Sequence, residues 1–529
     1  MKNMLVAKLN VEDIMKPVQL IAVGMKKLLF LLFAFWLSPA FAGSHYVAAN
    51  GNDANEGTAH SPWATILNAM RKAQPGDTIF VRGGTYTEGE IWIQRTYGMG
   101  GKNGRYVTIS AYPGERPIFT DGNRGLIIDA SYVRVIGLEF QNGKSMYNVD
   151  WSGPTDHVEF IGNRFSGIFG YEAIGITGDH NLVEGNIIHL SGNTTGTLGH
   201  GIYATRGKYT VIRGNVISGA TGFGIHLYDE RRSGDAAGSI RQIKNIVIEN
   251  NFISASRQRS GIIVGAGADG GPAHIDSVIV RYNVVFNNPM HGILIGGWSE
   301  VKNIHIYHNT ICGNGDNGIQ IFQRQVKNVT INNNIIAVNN GKRHIDNAPN
   351  APGVVIERNL YHPPTIALNN AQDNKPRRGD PLFVDPEKND FRLQKGSPAI
   401  DAGINWGQPF KGAAPDLGAF ESDETNNAPA IPAAFELRQN YPNPYGRPPF
   451  NEETEISFGL PVDAVVELTI FNVMGQRVKT LVQGLQTAGW KTVVWNSKND
   501  ADFPVTSGVY FYRLRTKDFS STRSMLYLK

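Results

Sequence analysis

Short segments that alternate apolar and polar residues recur through the middle of the chain, and each leads into an asparagine. The segments are HVEFIGNRF, NLVEGNII, YTVIRGNVI, IVIENNFI, SVIVRYNVV, NIHIYHNTI, NVTINNNII and GVVIERNLY. Their shared asparagines are Asn163, Asn186, Asn215, Asn251, Asn283, Asn309, Asn334 and Asn359. A period of two residues is typical of a half-buried β-strand. Successive asparagines are 23, 29, 36, 32, 26, 25 and 25 residues apart, which predicts one supersecondary unit stacked on itself.

The repeated asparagine suits a bend between two strands. Asparagine tolerates a left-handed backbone and forms local hydrogen bonds. When identical amides are stacked in register, they also bond to one another along the stacking axis. We therefore expect a ladder of asparagine side chains along the repeat.

A second phrase recurs between the asparagines and predicts another strand of each turn. It reads EAIGIT, HGIYAT, FGIHLY, SGIIVG, HGILIG and NGIQIF. Strand periodicity predicts an inward row and an outward row of side chains. The inward row is Ile174, Ile202, Ile225, Ile262, Ile293 and Ile319, and the outward row is Gly175, Tyr203, His226, Ile263, Leu294 and Gln320. Two or three short strands per turn predict an all-β chain built around a right-handed parallel β-helix, a single-stranded solenoid.

The two ends of the repeat carry segments that would close the solenoid. Near the N-terminus, a helix over Trp63 to Lys72 is predicted before a turn at Pro75. An amphipathic helix is a usual cap for an open solenoid end. This N-terminal segment resembles that of secreted right-handed β-helix proteins of the pectate lyase and chondroitinase B-like groups. At the other end, the segment from Arg378 to Gly403 resembles their closing segment, and we expect the β-helix to end near Phe420.

The first 42 residues have the pattern of an export signal. Lysines follow Met25, then come an apolar run of about ten residues and small residues ending at Ala42, which is the pattern of a secretory signal peptide. The run is too short for a membrane span of about 20 residues. Removing residues 1–42 takes away five lysines and two acidic residues, so the net charge of +4 falls to +1. A nearly neutral protein of this kind is not expected to bind nucleic acid.

The C-terminal part predicts a separate small β domain. A polar, proline-bearing linker covers residues 422–434, after a β-helix domain at residues 43–421. Residues 435–529 show short alternating strands between turn signals, as in an immunoglobulin-like sandwich. The motifs QNYPNP, NVMGQRV and SGVYFYRL and the final lysine resemble the C-terminal sorting domain of type IX secretion. That resemblance implies export across an outer membrane by the type IX machinery, followed by release or attachment to the cell surface.

Candidate site residues cluster where the repeat is irregular. Insertions lengthen the turns between Asn186 and Asn283, and long loops on a rigid scaffold often carry function. The parallel ladder predicts that Tyr203 lies beside His226 and that His200 lies beside Phe223. The ionisable and aromatic residues gathered there are His200, Tyr203, Arg206, Lys208, His226, Tyr228, Asp229, Glu230 and Arg231.

These residues suit cleavage of an extracellular uronic-acid polysaccharide by β-elimination. That reaction needs a base for the C5 proton and a positive group beside the carboxylate. Tyr203, His226, Arg206, Lys208 and His200 are the catalytic candidates. Tyr228, Asp229, Glu230 and Arg231 are the substrate-binding candidates.

Two alternatives remain open for this face. One is hydrolysis by paired carboxylates, and the other is a non-catalytic sugar-binding or adhesive protein, in either case expected as a monomer. No cofactor is required by the sequence, although calcium at Asp229, Glu230 or Asp235 suits the carboxylates. The aspartate cluster and lysine that mark calcium-dependent pectate lyases are not evident. Cys312 is the single cysteine, so no internal disulfide forms, and we expect it at an inward-leaning core position.

Overall fold

The computed structural model of the chain describes residues 42–120, 125–143, 145–149, 155–168, 171–189, 199–229, 241–267, 273–297, 299–323, 325–341, 343–365, 367–422, 432, 434–440, 443–446 and 453–528. The chain divides into two units, residues 1–41 and 42–529, and every described residue belongs to the second unit. The predicted signal peptide, up to Phe41, lies outside the described residues. Within the described ranges, no helix is long and apolar enough to cross a membrane.

Three parallel sheets form most of the described structure, and successive turns of the chain add one strand to each. We number them in the order in which a turn passes through them. Sheet 1 contains the strands that precede the repeated asparagine. Its strands are Ser44–Val47, Thr78–Val81, Val107–Ala111, Val133–Ile136, Val158–Ile161, Leu182–Glu184, Gly207–Lys208, Val211–Arg213, Arg241–Glu249, Ala273–Arg281, Glu300–Tyr307, Val326–Asn332, Val355–Glu357 and Asp373–Asn374.

Sheet 2 follows the asparagine in each turn, and sheet 3 contains the second repeated phrase. The strands of sheet 2 are Gly84–Tyr86, Pro117–Phe119, Glu139–Gln141, Arg164–Ser166, Ile187–His189, Val216–Ser218, Phe252–Ser254, Val284–Phe286, Thr310–Cys312, Ile335–Ala337, Leu360–His362 and Arg377–Arg378. The strands of sheet 3 are Ile91–Gln94, Leu126–Asp129, Met146–Asn148, Glu172–Ile176, His200–Ala204, Ile225–Asp229, Ile262–Ala266, Ile293–Ile295, Ile319–Ile321, Arg343–Asp346 and Ala367–Asn369. The predicted parallel β-helix is confirmed.

The inward row of sheet 3 packs in the centre of the coil, as predicted. All six isoleucines of that row have no exposed surface. The glycine before most of them has a packing reason. A Cβ atom at Gly261 would collide with Val285 of sheet 2, and the same clash with a sheet 2 side chain recurs at Gly201, Gly224, Gly292 and Gly318. The GI phrase therefore marks the corner where sheet 2 side chains fill the interior.

The asparagine ladder forms at the corner between sheets 1 and 2. In each turn, the backbone N–H and the side-chain Nδ2 of one asparagine donate to Oδ1 of the next, at 2.9–3.0 Å. Nδ2 also donates to a backbone carbonyl, such as Ile212 O at 2.9 Å from Asn251. The ladder ends at Asp373, whose carboxylate accepts from Asn359 Nδ2 at 2.9 Å. An aspartate suits this terminal place because it needs only to accept hydrogen bonds.

The left-handed residue of this corner is the one before the asparagine, not the asparagine itself. Gly162, Gly185 and Gly214 have φ of 63°, 65° and 63°, and later turns place Asn250 or Tyr282 there with φ of 54°. The expectation that the ladder asparagine would take the left-handed conformation is thus wrong. Its side chain instead satisfies buried backbone groups, which requires it to point along the axis.

The N-terminal helix is shorter than predicted. It runs over Ile66–Lys72 and begins three residues after Trp63. Thr65 is the N-cap, and its hydroxyl accepts from Asn68 N at 3.2 Å. Asp53 accepts from Thr65 N at 2.9 Å, so the backbone before the cap is held outside the helix. Ile66, Ala69 and Met70 of the helix pack into the β-helix core.

A closing segment after the last turn covers the outer face of sheet 2. Its described strands are Phe383–Asp385 and Asp390–Leu393, joined through a 3-10 turn at Pro386–Lys388. Phe383 and Phe391 pack with Phe286 and Cys312 in a second apolar cluster. Cys312 is buried as predicted, but it points out of sheet 2 and not into the coil, because the neighbouring Ile311 takes the inward place. Burial raises the pKa of the Cys312 thiol to about 12.

The C-terminal domain consists of two packed sheets, as expected for an immunoglobulin-like fold. One contains Glu436–Leu437, Thr454–Leu460 and Gly489–Trp495, and the other contains Tyr445–Gly446, Ala464–Phe471, Arg477–Gln486, Gly508–Arg515 and Ser520–Leu528. Trp495, Phe458 and Tyr512 are fully buried between them. The domain therefore has its own hydrophobic core.

Replacing a ladder asparagine should destabilise the β-helix. In Asn251→Ala, the buried N–H of Asn215 and the carbonyl of Ile212 lose their partners. A buried polar group without a partner costs about 1–3 kcal/mol, so we expect a loss of about 3 kcal/mol, measured as a lower urea midpoint. Asn340→Ala, at an exposed asparagine of the same β-helix, is the control. An equal midpoint in both variants would contradict the role of the ladder.

Candidate functional site

The outward row of sheet 3 forms a continuous column of side chains along the β-helix. The pairing registers align Trp92 with Ile127, and Ile127 with Tyr147. They continue through Gly175, Tyr203, His226, Ile263, Leu294 and Gln320. Neighbouring strands are about 4.8 Å apart. The predicted outward row is confirmed, with regular spacing along the axis. Trp92, Tyr147, Tyr203 and Leu294 of the column are partly exposed, whereas Ile127, His226, Ile263 and Gln320 are buried.

Aromatic rings meet at the middle of this column, where Tyr203 lies beside His226 as predicted. The two rings stack with centroids 4.6 Å apart and planes inclined by 13°. His226 also contacts Phe223 at 4.9 Å and Tyr228 at 5.0 Å between ring centroids. His200 stacks on Phe223 at 5.7 Å. We call His200, Tyr203, Phe223, His226 and Tyr228 the ring cluster.

Hydrogen bonds determine which nitrogen atoms of the two histidines carry protons. The backbone N–H of Phe223 donates to His200 Nδ1 at 3.1 Å. A neutral His200 must then carry its proton on Nε2, which lies 2.9 Å from His226 Nδ1. His226 Nδ1 accepts that proton's hydrogen bond, so the remaining proton of a neutral His226 is on Nε2. The network therefore makes His226 a hydrogen-bond donor through Nε2. Its other nitrogen, Nδ1, already accepts a hydrogen bond from His200, so it is not free to take a proton from a substrate.

Both histidines are held neutral by their surroundings. Burial lowers the pKa of His200 to about 3, and the positive charge of Arg259 contributes in the same direction. Burial also lowers the pKa of His226 well below its usual value, with smaller contributions from His200 and Arg259. The two side chains are only 3% and 7% exposed. Neither histidine is therefore charged near neutral pH.

Arg259 is a candidate cation for this site, and the sequence analysis missed it. It affects the pKa of both histidines, and it directly precedes Ser260 at the start of the next strand turn in sheet 3. Its side chain is half-buried. The signal available in the sequence was the basic triplet RQR immediately before the SGI phrase.

The remaining predicted residues are distributed more widely. Arg206 is half-buried at the bend after strand His200–Ala204, and Lys208 lies in a short strand of sheet 1 beside Lys244. Lys208 N donates to Asp179 Oδ1 at 2.8 Å. Because the chain has already turned from sheet 3 into sheet 1, Lys208 belongs to the adjacent face.

The acidic and basic candidates after Tyr228 are largely beyond the described structure. Asp229 ends strand Ile225–Asp229, with its side chain undescribed, and Glu230 and Arg231 lie outside the described residues. So do most of the three insertions, at residues 190–198, 230–240 and 268–272. Among the side chains that are described, no group of three or more His, Cys, Asp or Glu residues is arranged to hold a metal ion. Calcium at Asp229, Glu230 or Asp235 stays a prediction.

Comparison with known proteins identifies the fold of both parts of the chain. Residues 45–294 match the family described as "Pel9A-like, right handed beta helix region". Residues 447–518 match the family described as "FlgD Ig-like domain". A crystal structure of pectate lyase Pel9A superimposes with a TM-score of 0.53 at 20% identity, covering 72% of this chain and 96% of that one. The chain is thus an all-β protein with a right-handed parallel β-helix and an immunoglobulin-like C-terminal domain.

The sequence is also similar to named β-helix relatives. Pectate lyase L of Paenibacillus polymyxa is 28% identical over 307 residues, which cover 53% of this chain and 67% of that protein. Uncharacterized protein YwoF of Bacillus subtilis is 23% identical over 447 residues, which cover 67% of this chain and 91% of that protein. Together with the family match, these relatives support a pectate lyase-like β-helix protein.

The buried neutral histidines should make folding stability depend on pH. In the unfolded chain, His200 titrates near pH 6.5, whereas in the folded chain it titrates near 3. Its contribution to the free energy of unfolding is complete above pH 6.5. That contribution is lost as the pH falls toward 3, at about 1.4 kcal/mol per pH unit, because the unfolded chain binds the proton more tightly. Between pH 7.5 and 5, we expect the free energy of unfolding to fall by about 2 kcal/mol less in His200→Gln than in the parent protein. Urea midpoints at each pH measure this difference. His60→Gln, at an exposed histidine, should behave like the parent; identical pH profiles for all three proteins would contradict the assignment.

Proposed function

We propose that this protein is a secreted polysaccharide lyase that cleaves a uronic-acid polymer by β-elimination. The observation that carries the proposal is the outward column of sheet 3, with the ring cluster at its centre. Arg259, whose positive charge lowers the pKa of both histidines, is the candidate cation. The similarity to pectate lyase L supports the same substrate class. The column and the cation together match what an extended, negatively charged sugar chain requires.

The column suits an extended sugar chain because its side chains follow one another at a strand spacing. Trp92, Tyr147, Tyr203 and His226 give rings along it. Gly175 lies between two of the tyrosines, and the side chains of Tyr147 and Glu172 pack closely on it, since a Cβ atom there would lie 2.8 Å from Tyr147 Cβ. The rings of the column allow sugar rings to stack on it.

The ring cluster and its cations divide the chemistry of elimination among different groups. Arg259, with Arg206 as a second candidate, would neutralise the substrate carboxylate and stabilise the charge that develops when the C5 proton leaves. His226 Nε2–H would donate to a substrate oxygen, such as the leaving oxygen. Because His226 Nδ1 is occupied, the base belongs to another group. Tyr203 and Arg206 are the candidates, since Lys208 lies in sheet 1.

The reaction class can be tested by incubating the whole protein with pectate, alginate and glycosaminoglycans. A lyase produces unsaturated uronate ends, followed by their ultraviolet absorbance. Reducing ends without that absorbance would overturn the lyase and indicate a hydrolase with paired carboxylates. Binding of a polymer without products would indicate the adhesive alternative.

Removing the charge of Arg259 should impair catalysis far more than removing a neighbouring charge. We expect Arg259→Gln to lower kcat/KM by about 100-fold or more, because one preorganised electrostatic contact is worth that much in a transition state. Arg257→Gln is the matched control, since Arg257 is exposed in the same loop. Initial rates over a range of polymer concentrations measure both. Equal losses, or no loss in either variant, would remove Arg259 from the site.

We also propose that residues 435–529 direct the protein through type IX secretion, after a signal peptide cleaved near Ala42. The QNYPNP, NVMGQRV and SGVYFYRL motifs and the immunoglobulin-like fold support this assignment. Expressed in a bacterium with type IX machinery, the full chain should appear outside the cell, whereas a chain ending at residue 434 should stay in the periplasm. A strain without the machinery is the control. Export of the shortened chain would contradict the sorting role.

A further inference from the structure

The left-handed position before each ladder asparagine contains glycine in some turns and other residues in the rest. Gly162, Gly185 and Gly214 occupy it in three consecutive turns. The following turns use Asn250, Tyr282, His308, Asn333 and Arg358, all with φ between 51° and 55°. The corner therefore accepts a side chain in this backbone conformation. The three glycines need another explanation.

The C-terminal domain lies against these three glycines. A Cβ atom at Gly185 would collide with the side chain of Leu526, because Leu526 Cδ2 already occupies that space. A Cβ atom at Gly214 would lie 3.6 Å from Pro444 Cδ, and one at Gly162 would lie 4.0 Å from Val509 Cγ2. The absence of side chains at this corner thus coincides with the surface that the domain covers.

Leu526 is buried although it is not part of its own domain's core. It lies in strand Ser520–Leu528, where Met525 and Tyr527 face the core between the two sheets. Strand alternation turns Leu526 to the opposite face, yet it is only 3% exposed. The β-helix corner is what covers it. A buried leucine contributes about 1.5–3 kcal/mol of apolar transfer free energy.

A charged contact joins the two parts at a second place. Lys411 of the closing segment lies 2.9 Å from Glu455 of the C-terminal domain, between Nζ and Oε2. Both side chains are about one third exposed, and such surface pairs contribute little energy. This pair favours one orientation of the domain more than it adds to affinity.

We propose that the glycine corner, Gly162, Gly185 and Gly214, is a dedicated docking surface for the C-terminal domain of the same chain. The domain remains bound there when the linker is severed. Since this corner joins sheets 1 and 2, it is opposite sheet 3, so the docked domain lies away from the outward column. The inference rests on packing and does not depend on the proposed chemistry.

The test uses the full chain with a specific protease site inserted between residues 426 and 427 of the linker. After cutting, size-exclusion chromatography at micromolar concentration shows whether the two fragments travel together. Co-elution is expected. Separate elution of the two intact, folded fragments would overturn the proposal.

Substitutions on each side of the contact identify the surface. Leu526→Asp should weaken the association of the cut fragments by at least about tenfold, because it removes the buried leucine. Val465→Asp is the control, since Val465 is 66% exposed and also faces away from the domain's core. Circular dichroism of the released fragment verifies that the domain is folded.

Gly185→Asn tests the β-helix side without breaking the fold. Asparagine is the residue found at this position in the turns of Asn250 and Asn333 with the same backbone conformation, so the coil is expected to tolerate it. Its side chain would occupy the space of Leu526 and release the domain. Retained association in both Leu526→Asp and Gly185→Asn would overturn the assigned surface even if the fragments co-elute.

Discussion

The hydrogen bonding of buried backbone groups at the corner between sheets 1 and 2 is the constraint on which the β-helix depends. Each turn bends there inside the protein, where backbone N–H groups and carbonyls have no water to bond. From Asn163 to Asn359, the backbone N–H and the side-chain Nδ2 of each asparagine donate to Oδ1 of the asparagine in the following turn. Because the side chain reaches to the adjacent turn, every turn has to stack in register. The straight outward column on sheet 3 is a consequence of that register.

The same register brings together a site whose members are far apart in the chain. His200 and His226 are 26 residues apart, yet they share a hydrogen bond. Burial keeps both rings neutral, and the backbone of Phe223 selects the tautomer of His200. The fold therefore gives the two histidines different roles. His200 positions His226, and His226 is a hydrogen-bond donor through Nε2. Arg259, whose charge acts on both rings, comes from the following turn.

How much could be predicted from the sequence differed between kinds of residue. The inward isoleucines, the outward row and the pairing of Tyr203 with His226 followed from periodicity, because parallel strands in register repeat their alternation. Cys312 was misplaced because periodicity does not reveal that a later segment folds back over sheet 2. Trp63 was included in the helix because the capping contact of Asp53 with Thr65 spans twelve residues of loop. Arg259 was missed because its electrostatic effect on the histidines depends on how the chain returns to the strand that begins at Ile262.

By itself, the sequence determined the parallel β-helix, its ladder and the identity of its outward face, since each of these depends on a short pattern repeated in every turn. Only the tertiary structure decided which protonation states the histidines adopt, which cation acts on them and why three turns contain glycine before the asparagine. Those properties depend on burial and on contacts between segments that are distant in sequence. Alternation along a strand encodes which way a side chain points, but its surroundings are determined by the neighbouring turns and by the domain that packs on them.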